Sequence, residues 1–406
     1  MRILFLTQWF QPEPFFKGLP FVKDLENRGH DVEVLTGFPN YPRGKLYSGY
    51  SVRPWKSEVM EGIPVHRVAL FPSHDTSGLR RIINYLSFGF TAAVFGPFLI
   101  KKPDVIYVYN LVTLGLASSI LRTLYCCQIV YDIQDLWPDS VRHSGMMKQT
   151  IPLNILNIWC LFVYRSASHI TTLSPGMKAE LVKRGVPGTN ISVIYNWCDE
   201  SNSYNADNDN TISSDIRNKD NFVVMFAGTM GIMQGLDTVL DSAQMLMDVE
   251  PTIKFVLIGG GVDQKRLKQS VVERKLNNVN FIERQSPEKM GAILKASDVL
   301  LVHLKDTALF RITIPSKIQA YMFAGKPVLV GVQGDAAELI SASGAGKVVK
   351  SENPESMTTE ILQLFRMSDA ERGAMGKNAR KYYDENLSME AGVGRFENIF
   401  YRLLQK

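Results

Sequence analysis

The sequence predicts an α/β protein built from two doubly wound parallel-sheet domains, and three observations carry that prediction. Short β-rich apolar runs alternate with helix-period segments, a polar and turn-rich stretch breaks the rhythm midway, and the rhythm then resumes. The 406 residues suit two domains of ordinary size. With 45% apolar and 21% charged residues, the composition is that of globular protein and excludes a disordered or fibrous chain.

In the first half the runs are RILFLT (2–7), DVEVLT (31–36), VHRVAL (65–70), DVIYVY (104–109), QIVYDI (128–133), HITTL (169–173) and ISVIY (191–195). The helix after the first run holds Phe21 and Leu25 and ends at Arg28-Gly29, where glycine suits a left-handed cap. Residues 201–220 carry few large apolar side chains and many turn formers, which marks a linker. A second set follows: FVVMFAG (222–228), IKFVLIG (253–259), VNFIE (279–283), DVLLV (298–302) and KPVLV (326–330). The expected domains are therefore 1–200 and 221–388. Val393, Phe396, Phe400 and Leu403 recur at helical spacing, so the terminal helix, 389–406, is expected to pack back on the first domain, with packing on the second as the alternative.

Forty-five basic against forty acidic residues leave a net charge of +5, spread without a basic stripe interleaved with aromatics, which argues against nucleic acid. Cys126, Cys127, Cys160 and Cys198 form no C-x-x-C pair, and His143, His169 and His303 are scattered, so no metal site is expected. The N-terminus reads as a strand running into a polar loop and not as a secretion signal, which predicts a cytoplasmic protein. One segment qualifies that picture: Arg80-Arg81, then 19 uncharged residues from Ile82 to Ile100, then Lys101-Lys102. A true span would separate strands that must pair in one sheet. The expectation is a helix pair packed on the domain, or shallow contact with an anionic bilayer face through 79–102 and possibly 151–163.

Open parallel sheets bind ligands beyond the carboxyl ends of their strands, where glycine-rich turns let backbone amides approach phosphate. Two such turns stand in the second half, Gly228-Thr229-Met230-Gly231 followed by Gln234-Gly235, and Gly259-Gly260-Gly261. Neither completes a Walker or dinucleotide fingerprint, and each is as readily an ordinary strand-to-helix turn. A third feature sets Arg311, Ser316 and Lys317 ahead of a short helix ended near Gly325. Neither cation has an obvious acidic partner nearby in sequence, so the loop reads as a diphosphate site or as a solvated basic loop.

Taken together, Gln11-Pro-Glu13, Arg28-Gly-His-Asp-Val-Glu-Val-Leu-Thr36, Phe38-Pro-Asn-Tyr-Pro42, Asp135-Leu-Trp-Pro138, Leu173-Ser-Pro-Gly-Met177, Ile194-Tyr-Asn-Trp197, Gly228-Thr-Met-Gly231, Pro315-Ser-Lys317 and Gly325-Lys-Pro-Val328 span nearly the whole chain. In this order and spacing the chain resembles the retaining glycosyltransferases of the GT-B fold, two Rossmann-like domains facing a central cleft, and in particular glycosyltransferase family 4. The resemblance implies that a nucleotide-sugar diphosphate lies against the second domain, on Gly228, Thr229, Gly231, Arg311, Ser316 and Lys317, with the acceptor on the first. Gly18 falls in the loop after the first strand, near phosphate and sugar, although many members have Gly-Gly where this chain has Phe15-Phe16-Lys17-Gly18. Members also carry two glutamates at the places of Ile312 and Ala320, often a lysine at Gln234, and often a histidine at Gln134. With those groups absent, Arg311 and Lys317 are expected to supply the charge that stabilises the leaving diphosphate, without a metal and with no cofactor beyond the UDP-sugar substrate.

Asp135 is the candidate for orienting sugar or acceptor, its alternative being a capping or turn residue, and Asp139 shares that ambiguity. Asn110, Ser174 and Asn196 follow strand ends, where a turn hydrogen bond is the plainer reading. The implied reaction moves an N-acetylated deoxy-amino sugar, N-acetylfucosamine for example, from a UDP-sugar to a lipid-pyrophosphate-linked saccharide in bacterial O-antigen synthesis. The implied place is the inner face of the cytoplasmic membrane. Two readings compete: a nucleotide-sugar 2-epimerase on the same architecture, which needs no acceptor, and a non-catalytic binding module of a polysaccharide assembly complex.

Overall fold

The computed structural model describes residues 1–73, 78–140, 150–200 and 220–405. Most of the expected linker, 201–219, and His143 lie outside the described residues. The chain divides into two compact units, one of Met1–Leu173, Met177–Ile194 and Val393–Lys406, the other of Ser174–Gly176 and Tyr195–Gly392.

The first unit holds an eight-stranded sheet of β1 (Arg2–Thr7), β2 (Asp31–Gly37), β3 (Trp55–Met60), β4 (Ile63–Val68), β5 (Val105–Tyr109), β6 (Gln128–Ile133), β7 (His169–Thr172) and β8 (Ile191–Val193). Its order is β3-β4-β2-β1-β5-β6-β7-β8, parallel except for the β3/β4 pair. β5 is buried along its whole length, as a strand covered on both faces must be. β3 was not expected from the sequence: WKSEVM alternates between exposed and half-buried at the sheet edge, so it lacks the continuous apolar run that flags an inner strand. Helices α1 (Leu19–Asn27), α2 (Gly78–Leu99), α3 (Gly115–Tyr125), α4 (Thr150–Ser166) and α5 (Pro175–Lys183) complete the βα rhythm. The end of α1 is a left-handed cap, with Gly29 at φ +89° and the His30 amide returning to the Leu25 carbonyl.

The second unit holds a wholly parallel sheet of β9 (Phe222–Thr229), β10 (Ile253–Gly260), β11 (Val279–Ile282), β12 (Val299–His303), β13 (Val328–Gly331) and β14 (Gly346–Val348), in the order β11-β10-β9-β12-β13-β14. Only the three-residue β14 escaped the sequence reading. The helices are α6 (Asp237–Met247), α7 (Gln264–Glu273), α8 (Pro287–Lys295), α9 (Ala308–Arg311), α10 (Lys317–Phe323), α11 (Asp335–Ser343), α12 (Pro354–Arg366) and α13 (Asp369–Tyr382). The last helix, α14 (Met389–Leu404), starts in this unit, and from Val393 onward it groups with the first. There the Phe396 ring stands edge-on to Tyr107 at 5.1 Å and to Phe21 at 5.7 Å.

The core of the first unit contains a fully buried ion pair. Lys17 Nζ lies 2.6 Å from Asp132 Oδ2, with both side chains at 0% exposure, and Tyr107 Oη and Thr171 Oγ1 donate to the same carboxylate at 2.6 and 2.9 Å. Burial pushes the Lys17 pKa down while Asp132 pulls it up. Replacing Asp132 by Leu leaves a buried ammonium without its counter-ion and is expected to cost roughly 3–5 kcal/mol. The joint Lys17→Met, Asp132→Leu variant is expected to recover much of that loss. Melting temperatures in that order, Asp132→Leu lowest, are the check; equal loss in the single and joint variants contradicts it.

Candidate active site

In the second sheet the chain leaves β9 toward β10 on one side and returns to β12 on the other, so a topological switch point opens at their carboxyl ends. The end of β9 carries Gly228 and Thr229 at an exposed crest, and buried Met230 and half-buried Gly231 follow in the loop. The second glycine run supports the first. A Cβ on Gly259 would fall 2.1 Å from the Gly228 carbonyl oxygen, and one on Gly261 would fall 2.3 Å from that of Met230. Both glycines also hold positive φ, at +128° and +156°. This closeness lets the Met230 amide donate to Gly260 O at 2.9 Å and the Asp263 amide to Met230 O at 3.0 Å.

Beneath the crest lies Lys317, the first residue of α10. One turn later Tyr321 Oη accepts the Ala227 amide at 2.8 Å and donates to the Ala227 carbonyl at 3.1 Å, which fixes this helix face against the end of β9. Lys317 Nζ therefore sits 3.6 Å above the centre of the Phe226 ring, and a Cβ on Gly228 would come within 3.2 Å of it. Part of the lysine stem reaches the surface, but the ammonium is shut off from water and has no hydrogen-bond partner among the described residues. Burial pushes its pKa down to about 7. A buried cation without a counter-ion among the described residues, under an exposed glycine turn, is suited to receive an anion.

The remaining predicted residues of this unit stand differently. Ser316 is exposed and its hydroxyl makes no capping bond to α10. Arg311 does have an acidic partner, contrary to the sequence reading. Asp306, five residues earlier, takes Nε and Nη2 at 2.7 Å each, because α9 turns the guanidinium back over its own entry loop. That pair raises the Arg311 pKa and leaves Nη1 outside it. Gln234, in the place of the family's lysine, folds its Oε1 onto the Gly231 amide at 2.9 Å. His303, read from sequence only as one of several scattered histidines, is fully buried at the end of β12; its Nδ1 meets the Gln234 carbonyl at 2.7 Å and its Nε2 accepts the Glu352 amide at 3.1 Å.

In the first unit the switch point lies between β1 and β5. Asn110, just after β5, takes the left-handed conformation at φ 81°, and its amide donates to Asp132 O. Buried Ser174 and half-buried Asn196, expected in the first domain, group with the second unit. Gly18 precedes α1, and a Cβ there would strike the Gln11 side chain at 2.2 Å. Gln11 Oε1 instead accepts the Leu19 amide at 2.6 Å, so the loop is closed on itself. Glu13 explains two of the soft motifs: its carboxylate accepts the amides of Phe10, Asn40 and Tyr41 and so ties the loop after β1 to the loop after β2. Burial pushes the Glu13 pKa up to about 7, while those amides and Arg67 pull it down. Asp135 is exposed, yet its carboxyl is crowded by surrounding protein, and that desolvation raises its pKa. Asp139 is engaged in an ion pair with Arg184, which also donates to the Trp137 carbonyl at 2.9 Å. Among the described residues no group of three or more His, Cys, Asp or Glu side chains is placed to hold a metal ion.

Two α/β units with these sheets form the GT-B fold of glycosyltransferases. Solved structures of that shape include Anabaena Alr3699/HepE in complex with UDP, with 16% identity and a TM-score of 0.69 over 99% of this chain and all of that one. Another is the Escherichia coli trehalose-6-phosphate protein bound with UDP-2-fluoro glucose, with 11% identity and a TM-score of 0.72 over 98% and 99%. The chain belongs to the glycosyltransferases, with a match to the glycosyl transferase 4-like domain over residues 20–197 and to glycosyl transferases group 1 over 207–382. Among curated relatives, the colanic acid biosynthesis glycosyl transferase WcaI of Escherichia coli K12 is 26% identical over 93% of each chain. The glycosyltransferase WbjE of Pseudomonas aeruginosa is 23% identical over 64% of this chain and 65% of its own.

The Lys317 geometry predicts a stability signature. Unfolding returns the ammonium to water and to its ordinary pKa of 10.5, so between about 7 and 10.5 the unfolded chain holds a proton that the folded one has lost. Lys317 therefore makes folding stability rise with pH through this window and costs most below pH 7. Lys317→Met is expected to raise stability at pH 6 by about 2 kcal/mol or more and to remove that rise, as read by denaturant melts at pH 6 and pH 9. Equal stability of both proteins at pH 6 contradicts it.

Proposed function

We propose that this glycosyltransferase moves a sugar from a UDP-sugar to a lipid-pyrophosphate-linked saccharide, with retention and without a metal ion, in assembly of a bacterial surface polysaccharide. The observation that carries the reading is the buried, partnerless ammonium of Lys317 beneath the Gly228–Gly231 turn, a receptor for a diphosphate. UDP or a UDP-sugar in the solved structures named above supports the nucleotide, and the colanic acid relative supports the polysaccharide. An N-acetylated deoxy-amino sugar, N-acetylfucosamine for example, is the donor sugar in this reading.

As the bond from the anomeric carbon to the diphosphate oxygen breaks, negative charge grows on the leaving group. Lys317, protonated once an anion lies beside it, Arg311 through Nη1, and the backbone around Gly228, Thr229 and Gly231 offset that charge in a dry site. Ser316 adds a hydroxyl donor. The acceptor oxygen forms its bond to the anomeric carbon on the face the diphosphate leaves, and its proton passes to a diphosphate oxygen. Gly18 belongs to the donor contacts, and Asp135 orients sugar or acceptor.

Incubating the protein with UDP-sugars and lipid-pyrophosphate-linked acceptors, with products read by mass, tests the reaction. Arg311→Ala and Lys317→Ala are each expected to lower kcat at least tenfold, and unchanged kcat in both removes their leaving-group role. Full activity of Asp135→Asn makes that residue structural. Epimerised sugar formed from donor alone favours the 2-epimerase, and UDP binding with no turnover on any acceptor favours a binding module.

We also propose that the enzyme works as a peripheral protein on the inner, anionic face of the cytoplasmic membrane. Residues 78–99 form one helix and not the expected pair, since Pro97 falls in its last turn and breaks nothing upstream. Leu79, Ile83, Leu86, Phe90, Val94 and Phe98 are all exposed along one face of it, Phe98 at 85%, and Arg80, Lys101 and Lys102 are exposed at its ends. Ile155, Ile158 and Phe162 make a second exposed stripe on α4, beside a groove reaching Arg165. Both helices lean on the same turn: Gly89 of α2 meets the Thr113 carbonyl, and Trp159 Nε1 donates to the Val112 carbonyl at 3.0 Å. Phe90→Glu with Phe98→Glu is expected to abolish co-sedimentation with vesicles containing anionic lipid and to leave turnover of a detergent-soluble acceptor unchanged. Vesicle binding equal to that of the unaltered protein defeats the proposal.

A further inference from the structure

We propose that His303 is a positioning residue of the donor site, joining the Gly228–Gly235 loop to Arg311 through Glu352 and Asp306. The inference rests on the reading above, that this loop receives the donor diphosphate.

His303 fills a space that two glycines leave open. A Cβ on Gly331, its neighbour across β13, would come within 2.5 Å of the ring, and one on Gly235 within 3.1 Å. The ring is fully buried and both nitrogens are used, each by the backbone of a different loop. Because the Glu352 amide donates to Nε2, that nitrogen carries no proton, so Nδ1 carries it and donates to the Gln234 carbonyl. The contacts allow one neutral tautomer. An imidazolium would set an N–H against the Glu352 N–H.

Each bond has a continuation. On one side, Gln234 is the residue whose side chain holds the Gly231 amide, and the neighbouring Met233 carbonyl accepts the Lys305 amide at 3.0 Å. The strand end at 303–305 thus grips two successive carbonyls of the donor loop. On the other side, Glu352 sits in a left-handed conformation at φ 55°, and its carboxylate accepts the Asp306 amide at 3.0 Å. Asp306 in turn holds Nε and Nη2 of Arg311. One imidazole therefore registers the glycine loop and the Arg311 loop against each other. Both ring nitrogens of His303 are taken by backbone groups and neither is left to meet the reacting atoms, so its role is one of placement.

Two substitutions separate the two halves of the ring. His303→Asn keeps a short amide donor near the Nδ1 position and gives up Glu352, whereas His303→Gln reaches the Nε2 position as an acceptor and gives up Gln234. The experiment measures UDP affinity by calorimetry and kcat/KM with a UDP-sugar, with a melting curve for each protein. The expected result is that His303→Gln weakens UDP binding about tenfold, while His303→Asn binds UDP within about threefold of the unaltered protein but loses kcat about tenfold. A double-mutant cycle on kcat/KM supplies the second readout: Glu352 is exposed, and Glu352→Ala, which removes the carboxylate that accepts the Asp306 amide, is expected to remove most of the effect of Arg311→Ala. Additive effects in that cycle, or the same UDP affinity in both His303 variants, overturn the inference. Failure of the unaltered protein to bind UDP overturns the functional reading instead.

Discussion

Lys317 sets the terms for the rest of the second unit. A lysine ammonium kept from water without a counter-ion opposes folding, so its position has to be enforced by something stronger. The enforcement is visible one helical turn away, where Tyr321 makes two bonds to the backbone of Ala227. The Phe226 ring offers the ammonium its only close favourable surface among the described contacts. The first unit shows the opposite solution for the same residue type. Lys17 is wholly buried, but its charge is met by Asp132, and two hydroxyls complete the carboxylate's bonds. One lysine is finished as a structural element, and the other is left chemically open beside an exposed glycine turn.

The two positions where the resemblance places acidic groups bear on that openness. Ile312 and Ala320 stand where family members carry glutamates, and residue 320 lies three positions after Lys317 on the same helix. Side chains three apart on a helix are neighbours, so a glutamate at 320 would pair with the ammonium and cancel it. With alanine there, the ammonium has no acidic neighbour at that place on its helix. Arg311 contrasts with it in both exposure and partnership, since Asp306 fixes two of its three nitrogens. The basic groups are therefore not equivalent replacements for one another: Lys317 is a poised charge, and Arg311 is a braced one.

Much of this was legible in the sequence, and the exceptions have physical causes. The inner strands declared themselves because strands covered on both faces need unbroken apolar runs. β3 did not, since an edge strand has only one half-covered face. The glycine turns and the loop holding Arg311, Ser316 and Lys317 were visible as motifs, but their connections were not. Asp306 lies five residues from Arg311, and only the turn of α9 brings the two together. His303 carries no local signal, because its partners are backbone atoms 49 and 69 residues away. Backbone acceptors leave no trace in residue identity. Lys317 was expected ahead of the short helix; it is instead its first residue, which puts it on one face with Tyr321, four positions on.

The helix from Gly78 to Leu99 shows why hydropathy alone misleads. By length and composition it is sufficient to cross a bilayer. Its inner face, however, is committed to the first sheet. Asn84 is buried and accepts from Gln8 Nε2 at 2.5 Å while donating to the Phe71 carbonyl at 2.6 Å, and Gly96 lets the helix lie against Leu35. Moving this helix into hydrocarbon would strand the Asn84 amide and expose the polar groups it satisfies, at a cost of several kcal/mol for each group left unpaired. The outer face bears no such commitment: its six exposed apolar side chains fall within a single sector of the helix, and cations stand at both ends. Buried polar bonds on one side and an apolar outer face on the other make the pattern of a helix suited to lie along an interface and not across it, which is why the proposed membrane contact is a peripheral one.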